Sequence, residues 1–304
     1  MEKLYFNGHE TFHCRHFWLK KGIDYMLEPK LFTEKTAVVD LGVGKNMVSS
    51  IRFWLRAFGL SIYDKNNSNE SVSTIAHHIF GKDGFDPYLE NIASIWLLHY
   101  FLIKTKRSSI YSLVFNKFRK ERIEFTKNSL QEFLIRTCQE KGINYNENTI
   151  KKDAGVFIRN YLRPTVKEIK GQKREQNIEE DFSALLIDLD LLHETIRIGD
   201  KFKWYKIENT ERKNLAPEIV LFSILDNPLY ENTSSISFTS LLNDPDSIGS
   251  IYALSPDGLM GQIDQLCLLF PNDLVYTDDA GIRELQFKKE RPNKWDVLKK
   301  YYAK

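Results

Sequence analysis

Long apolar runs, paired cysteines and low-complexity segments are all scarce in this 304-residue chain. Its three cysteines, Cys14, Cys138 and Cys267, lie far apart in no paired spacing. Neither a disulfide framework nor a cysteine-built zinc site is supported, and a reduced, cytoplasmic compartment is expected. The longest apolar stretch, Ile92 to Ile103, is too short to span a bilayer and contains His99. The opening residues Met1 to Gly8 carry no apolar signal segment, so neither secretion nor membrane insertion is expected. Disorder and collagen are excluded by composition, since 42% of residues are hydrophobic and 28% charged.

Charge is nearly balanced at +2 but unevenly placed. Residues 1–65 carry +3, 66–103 carry −3, 104–174 carry +11, 175–286 carry −14 and 287–304 carry +5. The basic middle, with Lys104, Lys106, Arg107, Lys117, Arg119, Lys120 and Arg122 close together, suits phosphate neutralisation. It suits equally a solvated helix face balanced against the acidic half. The polar stretch Gly171 to Glu180 reads as a linker. The expected division is an N-terminal winged-helix DNA-binding domain over 1–103, a basic helical region over 104–174, and an acidic helical domain over 175–304 with a winged-helix-like end.

Helical periodicity prevails, giving a mainly α fold of tandem helical and winged helix-turn-helix-like units with small β-wings. Thr33 is placed to cap a helix through Asp40, Leu41 to Val43 make a tight turn, and a second helix runs from Lys45 to Phe58 before Gly59. Val48, Ile51, Leu55 and Phe58 share one face of it, leaving Lys45, Asn46, Ser49, Arg52 and Arg56 around the remainder. Leu60 to Tyr63 alternates as a strand and Asp64 to Ser68 is the expected wing tip. Lys45 to Arg52 is then the part presented to a major groove. Further on, a helix from Ser129 to Gly142 and another capped by Asn148 form a hairpin with a basic edge at Lys151, Lys152 and Arg159. Ser255 caps a helix to Phe270 with Pro256 at its first position, and strands follow at Leu274 to Thr277 and Ile282 to Phe287.

His9-Glu10-Thr11-Phe12-His13 matches the H-E-x-x-H pattern of zinc hydrolases, which requires a helix. It follows Asn7-Gly8 and has no specified third ligand, so a polar constellation of His9, Glu10 and Arg15 is favoured and zinc is disfavoured. Gly42 to Lys45 lacks the earlier glycine and the Ser/Thr of a phosphate loop, so a nucleotide loop is rejected. Asp83, Asp86 and Glu90 are either Mg²⁺ ligands or, as favoured, a turn, an N-cap with Pro87 behind it, and a first-turn acid. Asp188, Asp190, His193 and Glu194, among Leu185, Leu186, Leu189 and Leu192, suggest an amphipathic helix. His77, His78, His99 and the five tryptophans are read mostly as helix and core residues.

The segments Phe6 to Phe12, Arg15, Trp18 to Gly22, Leu41 to Val48, Ser50 to Arg52 and Trp54 together resemble a bacterial domain-of-unknown-function family. That family includes SspB, the nicking component of single-strand DNA phosphorothioation systems. The resemblance continues through Phe80 to Glu90, Trp96 to Tyr100 and Thr149 to Asp153. It implies a DNA-binding nickase or targeting subunit of a phage-defence system, working beside a cysteine desulfurase, a sulfur-transfer enzyme and an ATPase. One strand would be cut so that sulfur can replace a non-bridging phosphate oxygen. The alternative is a non-catalytic DNA-binding adaptor or regulator that recruits the sulfur-transfer partners. In the nickase reading His9 is the general base, Glu10 a metal ligand or orienter, and Arg15 steadies the scissile phosphate, with Mg²⁺ or Mn²⁺ as the metal. Lys20, Lys21, Lys45, Asn46, Ser49, Arg52, Lys151 and Lys152 are the expected DNA contacts. A homodimer is kept open.

Overall fold

The computed structural model of the protein describes residues 3–28, 30–64, 69–163, 183–197 and 199–303. Among the described residues helices dominate and the strands form three small antiparallel sheets, so the chain is mainly α with small β elements. It divides into two compact units, Met1–Val114 with Phe118–Ile207, and Phe115–Lys117 with Glu208–Lys304. The expected linker at 171–180 and most of the expected wing tip, residues 65–68, lie outside the described residues.

The first unit opens with α1 (Trp18–Leu27), α2 (Ala37–Asp40) and α3 (Lys45–Ala57). α1 crosses α3 closely because Gly22 has no side chain, and a Cβ there would sit 2.8 Å from both Ile51 and Leu55. Under the turn between α2 and α3, Tyr25, Ala37, Leu41 and Val48 form a small core with Phe32 and Val43 packed against it. α2 is shorter than expected and is flanked by Thr36, not Thr33. The Glu34 carboxylate accepts from the Leu31 amide at 3.1 Å and from the Thr36 hydroxyl at 3.4 Å, which holds residues 32–36 in turns instead of a helix. α3 ends as anticipated at Gly59 (φ +68°). Gly59 N–H donates to Arg56 O and Leu60 N–H to Leu55 O at 3.1 and 2.8 Å, the paired bonds of a Schellman motif.

Strands β1 (Ser61–Asp64) and β2 (Asn69–Val72) follow as an antiparallel hairpin, then α4 (Thr74–Phe80) and the almost wholly buried α5 (Ile92–Lys104). No helix starts at Asp86-Pro87. Asp86 instead accepts from Glu90 N–H, Asn91 N–H and the Ser94 hydroxyl at 2.9, 3.0 and 2.6 Å, tying the loop to α5, which Asn91 caps. After α6 (Ser109–Leu113), a π turn (Val114–Phe118) and α7 (Arg119–Glu121) come β3 (Glu124–Thr126), α8 (Lys127–Glu140) and α9 (Glu147–Tyr161). Thr126 caps α8 and Ser129 answers it in a reciprocal capping box, while Asn146, not Asn148, caps α9. The expected helix over 185–194 is a 3₁₀ turn (Leu185–Leu189) broken by left-handed Asp190, so that His193 and Glu194 fall on β4 (His193–Thr195). Leu185, Leu186, Ile187, Leu189, Leu191 and Leu192 are all buried, a pattern that no single helix face supplies. β5 (Trp204–Lys206) completes a sheet ordered β3-β5-β4.

The second unit holds α10 (Pro217–Leu225), β6 (Ser235–Ser237), α11 (Phe238–Asn243), α12 (Ile248–Ile251), α13 (Pro256–Leu269), β7 (Leu274–Asp279), β8 (Ile282–Phe287) and α14 (Lys294–Tyr302). Ser255 caps α13 through Gly258 N–H at 3.0 Å with Pro256 in the first turn, as expected. The sheet order β6-β8-β7 repeats the connectivity of the first unit: a strand, then helices, then a hairpin whose last strand pairs with the first.

Candidate nucleic-acid interface

α3 starts at Gly44, which offers its first amides no side-chain cap. Uncapped helix N–H groups and the positive end of the helix dipole favour an anion there. Lys45, Asn46 and Ser49 are exposed over these first two turns, and Arg52 and Arg56 follow on the next two, half-buried. A cavity of about 650 Å³ runs along this face, lined by Lys35, Lys45, Ser49, Arg52 and Arg56 against a single carboxylate, Glu34. Arg52 and Arg56 are held by Glu70 of β2. Arg52 Nε reaches its Oε2 at 2.7 Å, and Arg56 binds both oxygens at 2.5 and 2.9 Å. Burial pushes the Glu70 carboxyl up, but the two guanidiniums and the Ser61 hydroxyl outweigh it and leave the group below its usual range. The ion pairs therefore fasten the hairpin to α3.

The His9 region is a turn, with Glu10 (φ +47°) and Thr11 (φ +68°) in left-handed conformations. The two histidines of the H-E-x-x-H match accordingly share no helix face. His9 is 2% exposed. Its Nδ1 accepts the Thr11 N–H at 3.1 Å, so in the neutral ring Nε2 carries the proton and donates to Asp153 Oδ1 at 2.9 Å. The ring stacks on Trp54 (19° between planes) and meets Phe53 edge-on. The His9 carbonyl accepts from Ser50 Oγ at 3.1 Å, and Asp153 also accepts the Asn7 N–H at 3.1 Å. His9 thus ties the N-terminal segment to α3 and α9. Arg15 goes elsewhere: its guanidinium lies 5.1 Å from the Trp18 ring centroid and its backbone bridges Ala184. Glu10 is exposed. The three residues grouped by the sequence thus have separate surroundings.

Lys20 is paired with Asp24 at 2.5 Å, and Lys21 donates to the Leu41 carbonyl at 2.9 Å, fixing the turn before α3. Lys151 and Lys152 are exposed on α9. Asp153, Glu70 and Arg56 were not among the residues picked from the sequence as site residues. Asp153 had a signal, a carboxylate beside the apolar residues Ala154 and Phe157 of its helix, whereas the pairing of Glu70 with α3 is a tertiary matter. Among the described residues no three His, Cys, Asp or Glu side chains converge to hold a metal ion. Asp86 spends its oxygens on protein donors.

The model of a protein family of unknown function, DUF4007, matches residues 6–302. The chain belongs to the DUF4007 family. Two crystal structures are similar to this DUF4007 protein over nearly its whole length. Magnesium ion-bound SspB is 26% identical with a TM-score of 0.84, and 98% of this chain and 88% of that chain are covered. A further SspB crystal structure gives 26% identity and 0.83 over the same shares. No curated protein matches. No helix among the described residues is long and apolar enough to cross a membrane.

Proposed function

We propose that this DUF4007 protein is the DNA-binding, strand-targeting subunit of a bacterial DNA phosphorothioation system. The observation that carries the reading is the basic cavity along α3, with Lys45, Asn46 and Ser49 exposed at an uncapped helix start. A helix start of this kind, flanked by a hairpin, suits a winged helix-turn-helix in which α3 enters the major groove and the β1-β2 hairpin follows the backbone. Lys45, Asn46 and Ser49 make the contacts, and Arg52, steadied by Glu70, adds charge beside them. The likeness to SspB supports work beside a cysteine desulfurase, a sulfur-transfer enzyme and an ATPase.

Nicking is the second reading, favoured by the likeness to a magnesium ion-bound SspB. In that reading His9 must first release the Thr11 amide, because the neutral ring's Nε2 carries the proton given to Asp153 and its one lone pair, on Nδ1, is taken by Thr11. Exposed Glu10 is the carboxylate placed to meet a phosphate-bound ion, and Arg15 would steady the cut strand.

One assay pair tests both readings. Duplex binding by fluorescence anisotropy should weaken with Lys45→Ala and show a steep salt dependence; unchanged affinity would remove α3 from the interface. Conversion of supercoiled plasmid to open circle, with Mg²⁺, Mn²⁺ or EDTA, and with partner proteins added, separates subunit types. Metal-dependent nicking lost in Glu10→Gln, with binding retained, establishes the nickase. Binding without nicking under every condition establishes the adaptor.

A further inference from the structure

α9 carries Lys151, Gly155 and Arg159 at intervals of one helical turn, on one stripe of its surface. A glycine inside a helix costs about 1 kcal/mol relative to alanine, so its presence at 155 calls for a reason. The space a side chain would take is occupied by a neighbour. A Cβ at Gly155 would stand 3.0 Å from Lys127 Nζ and 3.6 Å from Arg159 Nη1. Lys127 is the first residue of α8, half-buried, and its ammonium lies over the missing side chain of α9. The stripe is therefore three cations in succession, Lys151, Lys127 and Arg159, contributed by two helices.

The cations act on one another. Burial lowers the Lys127 ammonium below its usual range, and the charges of Arg159 and Lys151 lower it further. Folding has drawn these like charges together. At one end of the stripe Arg159 donates to the Thr11 carbonyl at 2.7 Å, fastening the Glu10-Thr11 turn to it. On the other side of the same helix, Asp153 holds His9 and the Asn7 amide of that segment. α9 thus presents a row of positive charge and fixes the turn at the end of the row.

We propose that the stripe Lys151, Lys127 and Arg159 is a second DNA contact, seating successive phosphates of one strand so that the strand runs onto the Glu10-Thr11 turn. Lys151 and Arg159 stand two helical turns apart on α9 with the Lys127 ammonium over the turn between them, an extended row that suits a run of phosphodiesters better than an isolated anion. Gly155 favours this placement, because a Cβ there would stand 3.0 Å from the Lys127 ammonium and push it a few tenths of an ångström off the row. The site rests on the DNA reading above but is independent of α3.

The test is the salt dependence of binding, by anisotropy, of two unrelated 20-base-pair duplexes to the full chain, between roughly 50 and 200 mM salt. Lys127→Gln and Lys151→Gln should each make the slope of log K against log salt shallower by about 0.9 and weaken both duplexes alike. Lys127→Arg should keep the wild-type slope. Gly155→Glu removes no lysine but sets a carboxylate in the row beside the Lys127 ammonium, and should flatten the slope at least as much; circular dichroism melting of each variant monitors its fold. Wild-type binding with unchanged slopes in folded Lys127→Gln and Gly155→Glu proteins overturns the stripe and leaves α3 untouched. A wild type that binds neither duplex overturns the DNA reading and the stripe together.

Discussion

His9 and Asp153 are a buried pair whose main effect should be on stability. Asp153 is 1% exposed and accepts from both the His9 ring and the Asn7 amide. Removing its carboxylate leaves the buried His9 donor and the partly buried Asn7 amide without that acceptor, and a hydrogen bond involving a charged group contributes about 1.5–3 kcal/mol. Asp153→Ala should therefore lower the urea midpoint by an equivalent amount. His9→Ala should cost more, since the ring also packs between Phe53 and Trp54. The two losses should not add: the double variant should fall short of the sum by about 0.5–3 kcal/mol. Strict additivity in urea denaturation would mean that the pair is not coupled in solution. The sequence showed His9 as a chemical residue because of the letters around it. That both its ring nitrogens are bonded follows only from the fold, which brings Asp153, distant in sequence, against it.

At the scale of elements, the β1-β2 hairpin is held to α3 by Glu70, and this attachment should depend on pH. The folded-state carboxyl of Glu70 lies below its unfolded value, because Arg56, Arg52 and Ser61 outweigh the burial that pushes it up. Such a group contributes stability fully above the unfolded pKa, about 4.3 for glutamate, and loses it as pH falls through the lower folded value. Glu70→Gln should reduce stability at pH 7 and give a flatter decline between pH 5 and 3, measured by urea midpoints across that range. Parallel curves for wild type and variant would show that the ion pairs contribute nothing. Elements set by local rules were legible beforehand: α3 from its apolar spacing and Gly59, and α13 from Ser255-Pro256. Ends decided by competing side-chain bonds were not. Glu34 shortened α2, Asp86 took amides that a helix at Pro87 would have used, and Asp190 broke the leucine-rich stretch. Leucines buried on every side have no period to read, so the sequence pattern does not separate this 3₁₀ turn and strand from a helix.

Across the whole molecule, one connectivity appears twice with opposite charge. Among the described residues, the last α-helix before the hairpin of the first unit is α9, which bears Lys151, Lys152 and Arg159 beside Glu147 and Asp153; in the second unit it is α13, which has no lysine or arginine and exposes Asp257 and Asp264. The two helices differ in sign as the sequence windows do, +11 over 104–174 and −14 over 175–286: α9 has three basic and two acidic residues, α13 two acidic and none basic. Phosphates repel carboxylates, so equivalent topology does not imply equivalent binding. Leu268, 72% exposed on α13, adds an apolar side chain to that acidic face, a combination suited to protein and not to a phosphate backbone. Neutralising the face with Asp257→Asn and Asp264→Asn together should therefore leave duplex affinity within about twofold of wild type and the salt slope unchanged, whereas Lys127→Gln flattens it. A tenfold tightening of duplex binding on neutralisation would instead show that α13 faces the DNA and that its acids limit the affinity.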